Sequence, residues 1–180
     1  MMKREIILSG FGGQGVMSIG KNLAEAGVEE GLEVSWVPSY GPEMRGGTAS
    51  CSVILSDDAV GSPIVSTPDV LVAMNLPSLD KYESTVAPGG LILADSTLIE
   101  RKVVRDDVKV VYIPATRMAG ESGISSLANM IIVGKMLSEL GDFEEAGIEA
   151  ALAKVVSAKR ADMLDANRKA LKLGADYVGG

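Results

Sequence analysis

The 180-residue sequence carries 24 acidic and 17 basic residues, for a formal charge of −7, and it contains no histidine. An acidic surface without like-charge blocks repels a phosphate backbone, which excludes nucleic acid as the expected partner. At 47% hydrophobic and 23% charged the chain is globular, and with 4% aromatics its core must be built from aliphatic side chains.

The absences narrow the chemistry further. Without histidine there is no Ser–His–Asp or Cys–His nucleophile, no imidazole ligand for a metal and no usual general base. The one cysteine, Cys51, cannot form an internal disulfide, hold an iron–sulfur cluster or complete a structural zinc site. A lone thiol among nine methionines fits a cytoplasmic protein. The N-terminal apolar run, Ile6 to Leu8, is too short for a signal peptide, and no run approaches a membrane span. No catalytic residue and no metal ligand is therefore expected.

In chain order, Lys3 to Ser9 reads as a buried strand followed by the loop Gly10-Phe11-Gly12-Gly13-Gln14-Gly15. Val16, Ile19, Gly20, Leu23, Ala24 and Gly27 then recur at helical spacing, with Gly31 as the stop. Glu33 to Val37 is a second strand, so the chain opens as a βαβ unit. Pro38 to Gly47 is loop by composition, and Thr48 to Leu55 is a strand closed by Ser56-Asp57-Asp58. With no helix after it, this strand should pair antiparallel and make the sheet mixed. Asp69 to Met74, Leu91 to Ala94 and Val108 to Ile113 are further strands. A short helix spans Leu76 to Ser84, starting at Pro77. The last third is helical: a helix capped by Ser125 or Ser126 and stopped at Gly141, then Phe143–Val156 and Arg160–Leu173. The expected fold class is α/β: a three-layer α/β/α domain over 1–180 with a mostly parallel, mixed sheet and a helical tail from about residue 142.

Gly10, Gly12 and Gly15 spell G-x-G-x-x-G between a strand and a helix. That pattern can present backbone N–H groups and a helix N-terminus to an anion. A dinucleotide site also needs an acid at the end of the second strand, and here that strand ends Val37-Pro38-Ser39-Tyr40. No Lys-Ser/Thr pair follows the loop, so it is not a Walker loop. The glycines serve either a tight turn or an exposed backbone surface that meets a ligand or a partner chain. In a parallel sheet the loops after strand ends gather on one edge. The loop Ser39-Tyr40-Gly41-Pro42-Glu43-Met44-Arg45-Gly46-Gly47-Thr48 should therefore lie beside the first. The candidate face comprises Gly10, Gly12, Gly13, Gln14, Gly15, Tyr40, Gly41, Glu43, Arg45, Gly46, Gly47 and Thr48. Cys51 reads as a buried strand residue, and Asn75 and Asp95 as strand-end turn or cap residues.

GFGGQGVMSIGKNLAEA from Gly10, SYGPEMRGGTASCSVILSD from Ser39, Ser62-Pro63, the Asp69–Asn75 strand, the PGG-L-I-L-A-D stretch and Asn129 together resemble the gamma subunits of 2-oxoacid:ferredoxin oxidoreductases. SYGPE-x-RGGT looks most like the 2-oxoglutarate branch, with the pyruvate, ketoisovalerate and indolepyruvate branches also open. The resemblance implies a subunit, not catalytic alone, of an enzyme of anaerobic metabolism that oxidatively decarboxylates a 2-oxo acid to an acyl-CoA, CO2 and reduced ferredoxin. It implies alpha- and beta-type partner subunits, an optional ferredoxin-like delta subunit, and ferredoxin as acceptor. Thiamine diphosphate, magnesium and iron–sulfur clusters would sit on the partners, with coenzyme A approaching the glycine-rich face. The isolated chain is expected to bind none of these and to self-associate through its uncovered face. A stand-alone nucleotide- or anion-binding Rossmann-like protein using Gly10–Gly15 is the alternative.

Overall fold

The computed structural model describes residues 2–39, 48–155 and 161–179. Six strands form one sheet: β1 (Lys3–Phe11), β2 (Glu33–Ser39), β3 (Thr48–Ser56), β4 (Val70–Ala73), β5 (Leu91–Asp95) and β6 (Lys109–Ile113). Their order is β2-β3-β1-β4-β5-β6. β1, β4, β5 and β6 run parallel, while β3 is antiparallel to both β1 and β2. Every residue of β4 and β5 is buried, which is why these strands read as unbroken aliphatic runs. Pro38 lies in β2, an edge strand, where the missing N–H is tolerated.

The expected class is observed, an α/β fold with helices on both sides of a mixed sheet. One opening expectation needs correction. β1 and β2 do not neighbour each other, because β3 is inserted between them. The antiparallel pairing expected of Thr48–Ser56 is what places it there. Element boundaries also move. Gly10 and Phe11 belong to β1, paired with Ala49 and Thr48. A helix the sequence reading did not contain, α3 (Ala115–Glu121), follows β6 directly.

The two sheet faces are covered unequally. Ile6, Leu8, Val53, Val72 and Leu93 point to the face covered by α1 (Val16–Glu29), α3 and α4 (Ala128–Leu140). Outside these, α5 (Glu145–Val155) packs on α1 and α6 (Ala161–Ala175) packs on α4. The α4–α6 contact is backbone on backbone. A Cβ on Gly134 would lie 2.0 Å from the Leu171 carbonyl oxygen, and one on Gly174 would lie 1.8 Å from that of Ile131. Ile7, Leu71, Ala73, Ile92 and Ala94 point to the other face, where the short helix α2 (Leu76–Tyr82) brings Leu79, joined by Val86 and Ile99.

The 96–108 connection is held over that second face by charge. Glu83 is buried and accepts from Arg101 Nη2 at 2.7 Å and from the Val104 N–H at 2.6 Å. Arg105 donates to the Glu83 and Val86 carbonyls. A bidentate pair between Arg4 and Asp142 ties β1 to the segment entering α5. Ser125 and Ser126 do not cap α4: residues Ser125–Leu127 form a 3-10 turn, and Leu127 precedes α4 without a side-chain cap. Gly141 ends α4 with φ 65°, as expected of a C′ glycine.

Candidate functional site

The parallel strands deliver their C-terminal ends to one edge, and β1 and β4 diverge there. The helix after β1 packs on one face of the sheet and the helix after β4 packs on the other. This is the switch point of the strand order, where open α/β sheets form a crevice. The glycine-rich turn sits at that point.

Gln14 closes the crevice. Its Oε1 accepts from the Phe11 N–H at 2.6 Å, and its Nε2 donates to the Met74 carbonyl at 3.1 Å. The side chain lies over Gly10, where a Cβ would stand 2.5 Å from Gln14 Oε1 and 3.1 Å from Met74 Cβ. The first glycine is therefore required so that the glutamine can bridge β1 to β4. Gly15 precedes α1 with φ 74°, a left-handed conformation, and makes no side-chain cap. Its carbonyl accepts from Asn129 Nδ2 at 3.2 Å, and a Cβ there would lie 2.4 Å from that nitrogen. The turn is thus bound to β4 through Gln14 and to α4 through Asn129. Gly12 and Gly13 are exposed at its tip, the latter with φ 95°.

The start of α1 has no acidic residue in its first turn and no capping side chain. Its N-terminal N–H groups and the positive end of its dipole are uncompensated by side chains, on a molecule of net charge −7.

Asn75, buried at the end of β4, caps α2 by accepting from the Ser78 N–H at 2.9 Å. Its Nδ2 has no hydrogen-bond partner among the described residues. Beside it Ser9 Oγ donates to Ser78 Oγ at 2.9 Å, and Tyr82 donates its hydroxyl to Ser50 Oγ at 3.0 Å. Asp95 serves structure. It is fully buried, with Oδ1 accepting from the Thr97 N–H and Oδ2 from the N–H and hydroxyl of Thr116.

The residues that flank the second loop reach the same edge. β2 and β1 point the same way across β3, so Ser39 leads out on the side where Gly12–Gly15 lie. Thr48 returns the chain there, paired with Phe11. Tyr40, Gly41, Glu43, Arg45, Gly46 and Gly47 lie outside the described residues. Among the described candidates, Gly10, Gly12, Gly13, Gln14, Gly15 and Thr48 come together. Sequence reasoning gave Gln14 an outward role, whereas its amide is engaged within the fold. It did not find the Ser9–Ser78 and Tyr82–Ser50 links, since isolated serines carry no pattern. Asn75 was legible as a cap from the Asn-x-Pro at a strand end.

Cys51 is 1% exposed and donates through Sγ to the Val16 carbonyl at 3.4 Å. Burial pushes its thiol up to about 12, only partly offset by the nearby Trp36 indole N–H, so it is no nucleophile at neutral pH. Among the described residues no group of three or more Cys, Asp or Glu side chains could hold a metal ion. No helix among them is long and apolar enough to cross a membrane.

Residues 5–177 match the family model described as pyruvate ferredoxin/flavodoxin oxidoreductase. The chain is 43% identical over 172 residues to the ketoisovalerate oxidoreductase subunit VorA of Methanothermobacter thermautotrophicus, covering 95% of this chain and 35% of that one. It is 38% identical over 138 residues to the 2-oxoglutarate synthase subunit KorC of Methanocaldococcus jannaschii, covering 75% of this chain and 74% of that one. Among solved structures, the gamma subunit of a keto/oxoacid ferredoxin oxidoreductase from Geobacter sulfurreducens superposes with a TM-score of 0.83 at 30% identity, covering 96% of both chains. The 2-oxoglutarate:ferredoxin oxidoreductase of Magnetococcus marinus, with 2-oxoglutarate, coenzyme A and succinyl-CoA bound, superposes with a TM-score of 0.88 at 26% identity, over 99% of this chain and 32% of that one. The chain thus spans about a third of the ketoisovalerate relative it matches.

Proposed function

This chain belongs to the pyruvate ferredoxin/flavodoxin oxidoreductase family, and on that premise we propose that it is the gamma-type subunit of a 2-oxoacid:ferredoxin oxidoreductase. The assembly would convert a 2-oxo acid and coenzyme A to an acyl-CoA and CO2 and pass two electrons to ferredoxin. The observation that carries this reading is the glycine turn at the β1–β4 switch point. It is fixed from both sides by Gln14 and Asn129, and it presents an uncapped helix N-terminus.

The chain's part would be to shape a face, not to perform the redox step. An iron–sulfur cluster needs several thiolates, and this sequence has one cysteine. Thiamine diphosphate, magnesium and the clusters would be held by alpha- and beta-type partners, with a ferredoxin-like delta chain completing electron transfer. Coenzyme A is different, because its phosphates suit what this chain offers. Backbone N–H groups at the start of α1 and the guanidinium of Arg45 are the donors that would receive them. The Magnetococcus relative was solved with coenzyme A bound, which supports this reading.

The substrate is a 2-oxo acid. SYGPE-x-RGGT favours 2-oxoglutarate, but identity is higher to the subunit named for ketoisovalerate, so both belong in the assay. The alternative dinucleotide site is disfavoured by β3. It separates β1 from β2 by two strand spacings, about 10 Å, and so removes the second strand from reach of a ribose held at the glycine turn.

The test is purification of a tagged chain from its native cell. The co-purifying chains are identified by mass spectrometry and the assembly is assayed with each 2-oxo acid, coenzyme A and a viologen. We expect coenzyme A-dependent dye reduction. In the same assembly Arg45→Ala should raise the coenzyme A concentration needed for half-maximal rate, with the melting temperature unchanged. Recovery of the chain alone, or tight dinucleotide binding by it, would contradict the proposal.

A further inference from the structure

The second face of the sheet is finished over β4 to β6 and open along β2, while on β3 between them Ser50, Ile54 and Ser56 are buried. Among the described residues, α2 and the 96–108 connection cover the former, while Val37 on β2 remains 41% exposed opposite Ser52 and Ile7. Next to this row stands Ser39, exposed on β2 and paired with the buried Ser50 of β3. At the edge of the same face, beside the glycine turn, Phe11 is 40% exposed and Leu76, at the start of α2, is 38% exposed. None of these side chains is ionisable, on a chain of net charge −7. Among the described strand residues the charged groups of this face, Lys3, Glu5 and Glu33, gather at its opposite end, where Lys3 and Glu5 pair with each other at 2.8 Å.

The relatives indicate what covers such a face. In the Geobacter protein this domain is nearly a whole chain, matched over 96% of it. In the ketoisovalerate and Magnetococcus relatives it is 35% and 32% of a longer chain. A domain that occurs both joined and separate must keep a non-covalent contact that works without the joint. That contact requires a neutral, apolar surface of the kind this face offers, since charged residues are depleted at interface cores.

We propose that the β2 side of the second face, with Phe11, Val37, Ser39 and Leu76 around the half-buried Ser52, is the docking surface for the protein that in the longer relatives continues the same chain. This rests on the function proposed above. The docked partner would present an uncharged surface of apolar and hydroxyl groups and would border the glycine turn, so that the turn becomes the wall of a shared cleft.

The test uses the native assembly and two matched substitutions. Val37→Glu places a carboxylate within the face. Val178→Glu does the same at a valine that is 97% exposed near the C-terminus. Recovery of the chain homologous to the unmatched part of the ketoisovalerate relative is measured by mass spectrometry. Val37→Glu should lower recovery at least tenfold at unchanged melting temperature, and Val178→Glu should leave it at the wild-type level. In parallel, hydrogen exchange of the wild-type chain, free and assembled, should show added protection in Glu33–Ser39 and at the start of α2. Normal recovery with Val37→Glu, or protection confined to α5 and α6, overturns the docking face while leaving the function intact. A wild-type chain that forms only a dimer with itself overturns both. If Val37→Glu lowers the melting temperature, the exchange pattern alone decides.

Discussion

Gln14 is the residue on which the shape of the site depends. Its amide donates and accepts at once, to Met74 and from Phe11, so neither Glu nor Ala can replace it. Gln14→Ala should cost about 1–2 kcal/mol of stability, from two hydrogen bonds of roughly 1 kcal/mol each. Gln14→Glu should lose at least as much, because it would set a carboxylate oxygen against the Met74 carbonyl. Chemical denaturation reads both. Cys51 gives a second test. With its thiol pushed up to about 12, it should resist a thiol reagent at pH 8 in the folded chain and react at once on unfolding. The sign for stability follows. The folded thiol titrates above the ordinary value of 9.0, so its contribution is complete below about pH 9 and is lost as pH rises toward 12. Denaturation midpoints should therefore fall with alkalinity over that window, and Cys51→Ser should flatten this dependence. At this scale the sequence was legible where a residue type allows few roles. Gly15 at a strand-to-helix turn and Asn75 before a proline-started helix are such cases. Gln14 was not, because which way an amide turns depends on Met74, 60 residues away.

Between elements, α4 and α6 meet at their backbones, which Gly134 and Gly174 allow. Alanine at either position would overlap a carbonyl oxygen that cannot move without its helix. Gly134→Ala and Gly174→Ala should each destabilise by about 1–3 kcal/mol, the range for an overpacked core. Limited proteolysis should then cut within α6 before it cuts β4 or β5. The second face has its own tie. Removing the buried carboxylate with Glu83→Ala leaves the Val104 N–H without its acceptor and Arg101 held by Asp80 and the Lys102 carbonyl, and should cost about 2 kcal/mol, below the figure for a fully buried pair because Arg101 is partly exposed. The strands and long helices were readable because their hydrophobic periods are local. The place of β3 between β1 and β2 was not, since strand pairing joins residues far apart in sequence. α3 escaped notice because its buried residues, Ala115 and Ala119, are small and its seven residues make barely two turns.

For the whole molecule, the asymmetry of the sheet matters most: among the described residues, α-helices two deep cover one face and one short α-helix covers part of the other. An apolar face left without its partner favours self-association. Light scattering on the isolated chain should show a mass above the monomer that rises with concentration, and Val37→Glu should return it toward the monomer. The α/β class, the mixed sheet and the two glycine-rich motifs were all present in the sequence. The uneven layering was not, since it follows from where the crossovers pass.

On the proposed function, this chain builds a face for a reaction whose redox centres lie elsewhere. The most direct measurement is an omission experiment: 2-oxo acid- and coenzyme A-dependent viologen reduction by the purified partner chains, by this chain alone, and by the two recombined. Dye reduction that is absent from this chain alone, weak in the partners and restored on recombination is the predicted result. Turnover by this chain alone, or full activity in its absence, would contradict the claim.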